Sequence, residues 1–210
     1  MKNNYLEKLL NSRYFNNEKS PFCFNYELNN PNVFLIIGNN SCGKSLLRKI
    51  LHNYHHKDNV EFLNSSMEDR CKSGIQRAFI YGSEEDDSSG FNSAKFIKKA
   101  FSNREKAFSI MLDEPEIGCS EELSYSLVKY MLKNIPNMTN LNCLYVITHS
   151  RVFAKTMLDL NPSFIYMHLK NKNPMTLNEW LNREIKEIDL EEMYNLSLEN
   201  WRIVEKLRKE

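Results

Sequence analysis

Between Gly38 and Leu47 the chain reads GNNSCGKSLL. Two glycines stand five apart, and Lys44 and Ser45 follow the second at once. Gly38-x4-Gly43-Lys44-Ser45 is the spacing of a P-loop, in which glycines let successive backbone N–H groups turn inward onto phosphate oxygens. Asn39, Asn40, Ser41 and Cys42 would supply those amides, with Leu46 in the first turn of the helix behind them. Lys44 would reach β- and γ-phosphates, and the Ser45 hydroxyl would ligate Mg2+. A glycine turn with an incidental lysine is the alternative.

Two further stretches carry chemistry. The apolar run Ala107–Leu112 ends in Asp113-Glu114-Pro115. An acid closing an apolar strand holds Mg2+ in P-loop enzymes, usually through water, and a second carboxylate beside it can act as general base on an attacking water. Asp113 would therefore serve the metal and Glu114 the water. The run Leu144–Ile147 ends in Thr148-His149-Ser150. His149 could bond the γ-phosphate and hold the water in line; taken alone it reads as a satisfied strand-end histidine.

The flanks of these residues say what positions them. Val33–Ile37 is a buried-type strand, and Leu46, Leu47, Ile50, Leu51 and Tyr54 recur at helical spacing, so strand–loop–helix is the expected local structure. Phe22–Leu28 alternates like an edge strand, and Val60–Leu63, Gln76–Tyr81 and Phe164–Met167 are further candidate strands. The acidic stretch 82–90 reads as loop, with a helix starting at Ser93 as its N-cap. Leu123, Leu127, Val128, Met131 and Ile135 form one helical face. Thr176-x-x-Glu179 and Asp189-x-x-Glu192 are capping boxes, hence two C-terminal helices. Leu177, Trp180 and Leu181, then Leu190, Met193, Tyr194, Leu198 and Trp201, lie at helical spacing; packing on the domain is expected, a partner groove the alternative. Strands separated by helices mean an α/β fold with a mostly parallel sheet flanked by helices. We expect one domain over residues 1–170 with a helical extension over 171–210.

Composition excludes several classes. At 210 residues the chain can bury a sizeable core, and its net charge of +1 gives no bulk attraction to nucleic acid or anionic membrane. The best basic cluster, Lys95, Lys98 and Lys99, reads as a solvated helix face. No apolar run is long enough to span a bilayer, and the first residues are too polar for a secretory core. Five cysteines, odd in number and without a C-x2-C pair, fit a reducing cytoplasm rather than a disulfide or zinc framework. His55-His56 tempts as a metal pair, but helix neighbours do not share a face, which favours a polar helix end.

In order, GNNSCGKS, Ser88-Ser89-Gly90, IMLDEPEIG and VITHS resemble the ABC-type ATPase family over roughly residues 30–150. The DEPEIG and SSG variants look more like its non-transporter members (SMC/RecF-like, overcoming-lysogenisation and defence-associated ATPases) than like transporter subunits. The resemblance implies a P-loop NTPase fold, a D-loop at Ile117–Ser120 and a switch histidine at His149. It also implies a signature at Ser88, Ser89 and Gly90 that serves ATP on a second copy. The expectation is a cytoplasmic, Mg2+-dependent ATPase that closes as a homodimer on ATP and drives a partner protein. A transporter subunit and a DNA-processing head are the rivals, and an ATP-binding switch with little turnover is a third class. The chain departs from the family where Asp87-Ser88-Ser89-Gly90-Phe91 replaces Leu-Ser-Gly-Gly-Gln. Gln76, the only glutamine, is either the Q-loop residue or a strand-edge polar. Tyr14, Phe15, Phe22 and Phe24 are the aromatics that could stack on adenine, core packing being their commoner fate.

Overall fold

The strand Val33–Gly38 is buried at every position, as a strand covered on both faces must be. Its side chains divide with period two. Val33, Leu35 and Ile37 enter one apolar cluster, while Phe34 and Ile36 enter another on the opposite face. The computed structural model describes residues 5–58, 60–65, 89–102 and 104–209. The elements run α1 (Tyr5–Leu10), β1 (Phe22–Glu27), β2 (Val33–Gly38), α2 (Lys44–Lys57), β3 (Glu61–Ser65), α3 (Ser89–Ala100), β4 (Phe108–Asp113), α4 (Glu121–Asn134), β5 (Leu141–Ile147), α5 (Arg151–Met157), β6 (Ser163–Leu169), α6 (Leu177–Asn182) and α7 (Leu190–Lys209).

The six strands form one sheet in the order β1-β6-β2-β5-β4-β3. From β6 to β3 neighbouring strands are parallel, and β1 closes the edge antiparallel to β6. The expected edge strand and mostly parallel α/β sheet are therefore present. One face carries α3, α4, α5 and α6, through Phe96, Val128, Phe153 and Trp180. The other carries α1, α2 and α7, through Leu9, Leu47, Leu51 and Val204. The C-terminal helices thus pack on the same two cores. Thr176 and Glu179 make the reciprocal capping box of α6, and Asp189 caps α7 by accepting from Glu191 and Glu192 amides. Among the described residues no helix is long and apolar enough to cross a membrane.

Two local expectations are corrected. Helix α3 begins at Ser89, not Ser93, so Ser89 and Gly90 are helical rather than the end of a loop, and Ser93 is buried inside the helix. The reason is packing: a Cβ on Gly90 would lie 2.6 Å from the Gly118 carbonyl, so the first turn is seated tightly against the loop after β4. His55 is not part of a polar helix end. It is fully buried, between the Tyr145 hydroxyl at 3.2 Å and the Ser109 hydroxyl at 3.4 Å. Burial pulls its pKa down to about 4, so it is held neutral. His56 alone stays exposed.

Candidate functional site

Register brings the ends of three strands into line. Ile36 of β2 pairs with Ile147 of β5, and Ile147 pairs with Asp113 of β4. The chain therefore leaves the sheet at neighbouring points: into 39–43 from β2, into 114–120 from β4 and into 148–150 from β5. Ligands on parallel sheets bind at this carboxyl edge.

The loop after β2 is built around two glycines. Gly38 has φ +152, and a Cβ there would lie 2.3 Å from the Met167 carbonyl of β6. Gly43 has φ +95 and sits against the Phe22 ring, which a Cβ would meet at 2.9 Å. Ser41 also adopts a left-handed φ of 59, which side-chain-bearing residues rarely do. α4, α5, α6 and α7 each start on a side-chain cap. α2 starts on Gly43 without one. Its first-turn amides are thus not claimed by a cap, and the helix dipole adds positive character there. Lys44 is buried and folds back to donate to the Gly38 and Asn39 carbonyls at 3.0 and 2.8 Å. Burial lowers its pKa, while Cys42, Glu114 and Asp113 push it back up.

Across from the loop, Glu114 holds a left-handed φ of 52, with its N–H donated to the Ile147 carbonyl at 2.9 Å. Its Oε1 lies 3.2 Å from His149 Nε2. One further carboxylate sets this geometry. Glu116 Oε1 accepts from the Thr148 hydroxyl at 2.6 Å, the His149 N–H at 3.0 Å and the Ser150 N–H at 3.1 Å. It thereby ties the loop after β4 to the end of β5, and so fixes where His149 stands.

Asp113 meets a cation from α2. Arg48 Nε lies 3.1 Å from Asp113 Oδ2, with side chains only 7% and 15% exposed. Lys44, Ser45, Asp113, Glu114 and His149 all line one cavity of about 470 Å3. α7 lies along its mouth: Asn200, itself buried, donates to the Ser41 carbonyl at 3.3 Å, and Leu198 and Trp201 line the wall. A larger cavity of about 910 Å3 shares Ser45, Leu46, Arg48, Trp201 and Val204 but reaches neither carboxylate nor His149. The smaller one is where the chemistry converges.

The structure brings together Gly43, Lys44, Ser45, Leu46, Asp113, Glu114 and His149, with Asn40, Ser41 and Cys42 in the same wall. It does not bring Gly90 there; Gly90 packs on Gly118 and Leu123 of its own chain. Ser88, Gln76 and the strand expected over 76–81 lie outside the described residues. Phe15 and Phe24 are buried in the core; Phe22 is buried too but lines the smaller cavity, and Tyr14 lines the larger one. Sequence reasoning missed Arg48, Glu116 and Asn200, whose partners lie far along the chain. The donor set fits a polyphosphate and a hard divalent cation: capless amides, a lysine, a hydroxyl and a carboxylate. Among the described residues no group of three or more His, Cys, Asp and Glu is placed to hold a metal ion. The described cysteines form no disulfide. Comparison with protein-family models and with curated proteins finds no match.

Proposed function

We propose that the chain is an ABC-type P-loop ATPase that binds ATP with Mg2+, hydrolyses it, and couples closure of a homodimer to a partner protein. One observation carries the reading: a capless glycine-bounded helix start with a buried lysine shares a cavity with an Asp-Glu pair and a histidine, all from adjacent parallel strand ends. Backbone amides from Gly38 to Leu46 would hold the phosphates, and Lys44 would leave its own loop carbonyls for the β- and γ-oxygens. Exchanging neutral acceptors for anionic ones strengthens each bond. Ser45 and Asp113 would hold Mg2+, which supplies charge neutralisation at the phosphate oxygens.

Hydrolysis forms one bond from water oxygen to the γ-phosphorus and breaks the bond to the bridging oxygen of ADP. Glu114 would take the water's proton, and His149, 3.2 Å from it, would fix the carboxylate and the water relative to the phosphate. The test is calorimetric titration with Mg-ATP. Lys44→Ala should lose measurable binding while keeping a native circular-dichroism spectrum. A folded Lys44→Ala with the parent affinity would refute the assignment.

A further inference from the structure

Ser45 and Arg48 are three residues apart on α2, hence neighbours on one helix face. Ser45 is the hydroxyl expected to serve a divalent cation. Its neighbour Arg48 already brings a permanent positive charge to 3.1 Å from the carboxylate expected to serve the same cation. Both side chains are largely buried, so solvent screens the pair little. The cavity also holds Lys44 and Glu114. Among the described residues that line the cavity, Lys44 and Arg48 thus stand against Asp113 and Glu114, two basic side chains against two carboxylates. A dication added between Ser45 and Asp113 would sit beside Arg48 and be repelled by it.

We propose that Arg48 is a built-in counter-ion for Asp113 that stands in for the divalent cation, so that the site takes the triphosphate with little dependence on Mg2+ for binding. This rests on the nucleotide reading. Arg48 acts through Asp113 and the phosphates' charge and is a positioning residue, not a catalytic one. Metal access to Asp113 requires the guanidinium to give way.

The test compares ATP binding by calorimetry in Mg2+ and in EDTA. The wild-type protein should bind ATP with similar affinity in both buffers. Arg48→Gln should weaken binding about tenfold more in EDTA than in Mg2+, the loss expected of one charge-assisted contact. Arg48→Lys, which keeps the charge, should restore most of the EDTA affinity. Mn2+ bound with ATP, followed by electron paramagnetic resonance, should be held more tightly by Arg48→Gln than by wild type. Wild-type binding that needs Mg2+ overturns the proposal without any variant, so a poorly folded Arg48→Gln does not shelter it. An unchanged Mg2+-to-EDTA ratio in a folded Arg48→Gln overturns it too. Absence of ATP binding by wild type in either buffer overturns the nucleotide reading itself.

Discussion

Glu114 combines two properties that pull in opposite directions. Its left-handed backbone costs on the order of 1 kcal/mol for a residue with a side chain, yet on the nucleotide reading its carboxylate takes the proton of the attacking water. Glu114→Gln should keep ATP binding and cut turnover by about 10²–10⁴, the usual worth of a general base. Glu114→Gly should be equally inactive but more stable by about 1 kcal/mol, read as a higher urea midpoint. A Glu114→Gln protein that hydrolyses at the parent rate would put the base elsewhere. His55 gives a second residue-scale prediction. Its folded pKa is about 4 against 6.5 for an ordinary histidine, so between those values the unfolded chain binds the extra proton. Stability is then full above pH 6.5 and falls as pH drops toward 4, by at most about 3 kcal/mol. Urea titrations across that window should show a shallower fall for His55→Phe than for wild type; equal slopes would clear His55 of the effect.

At the scale of elements, α7 faces two ways. Val204 and Leu207 are buried against the sheet, while Leu190, Tyr194, Leu198 and Trp201 form an exposed row at helical spacing. The expectation of packing on the domain holds for Leu177, Trp180 and Leu181 of α6 and fails for this exposed row of α7, whose buried face was not foreseen. A helix apolar on two sides cannot be assigned its buried side from periodicity alone. The two tryptophans differ accordingly: Trp180 is 0% exposed in the core and Trp201 is 52% exposed at the cavity. Adding ATP should change tryptophan emission, and Trp201→Phe should abolish that change while Trp180→Phe keeps it. A response that follows Trp180 instead would mean α7 does not border the ligand. Local signals were legible elsewhere. The strand–loop–helix at Val33–Tyr54 and the α6 cap are written in adjacent residues, so spacing found them. The start of α3 was not, because its seat is the Gly118 carbonyl, remote in sequence.

The whole molecule sets what no local stretch can. Lys44, Asp113 and Glu114 are legible as candidates close behind apolar runs, whereas His149 taken alone reads as a strand-end histidine; the convergence of all four depends on strand order, which is a matter of long-range pairing. Arg48, Glu116 and Asn200 became visible only once β4, β5 and α7 were set beside α2. The same scale governs association. If the signature at Ser88–Gly90 serves a second copy, ATP should favour a dimer that ADP does not, and Glu114→Gln with Mg-ATP should trap it. Analytical ultracentrifugation decides: a monomer at high concentration with ATP demonstrably bound would leave α3 as an ordinary packing helix.

β5 lies between β2 and β4, and that interposition acts as a gauge. Adjacent strands are about 4.8 Å apart, so the backbones that lead into Lys44 and Glu114 are separated by two such steps, about 10 Å. The one irregularity in the β4–β5 ladder falls at Phe108/Ser109, the end away from the site, so the spacing near the cavity is undisturbed. Neither loop sets this width; the peptide hydrogen bonds of the sheet do. On the nucleotide reading, a diphosphate held at the α2 end leaves the Glu114 side of the gap open, and a third phosphate closes it. The distinction between ATP and ADP is then one of length measured against the sheet.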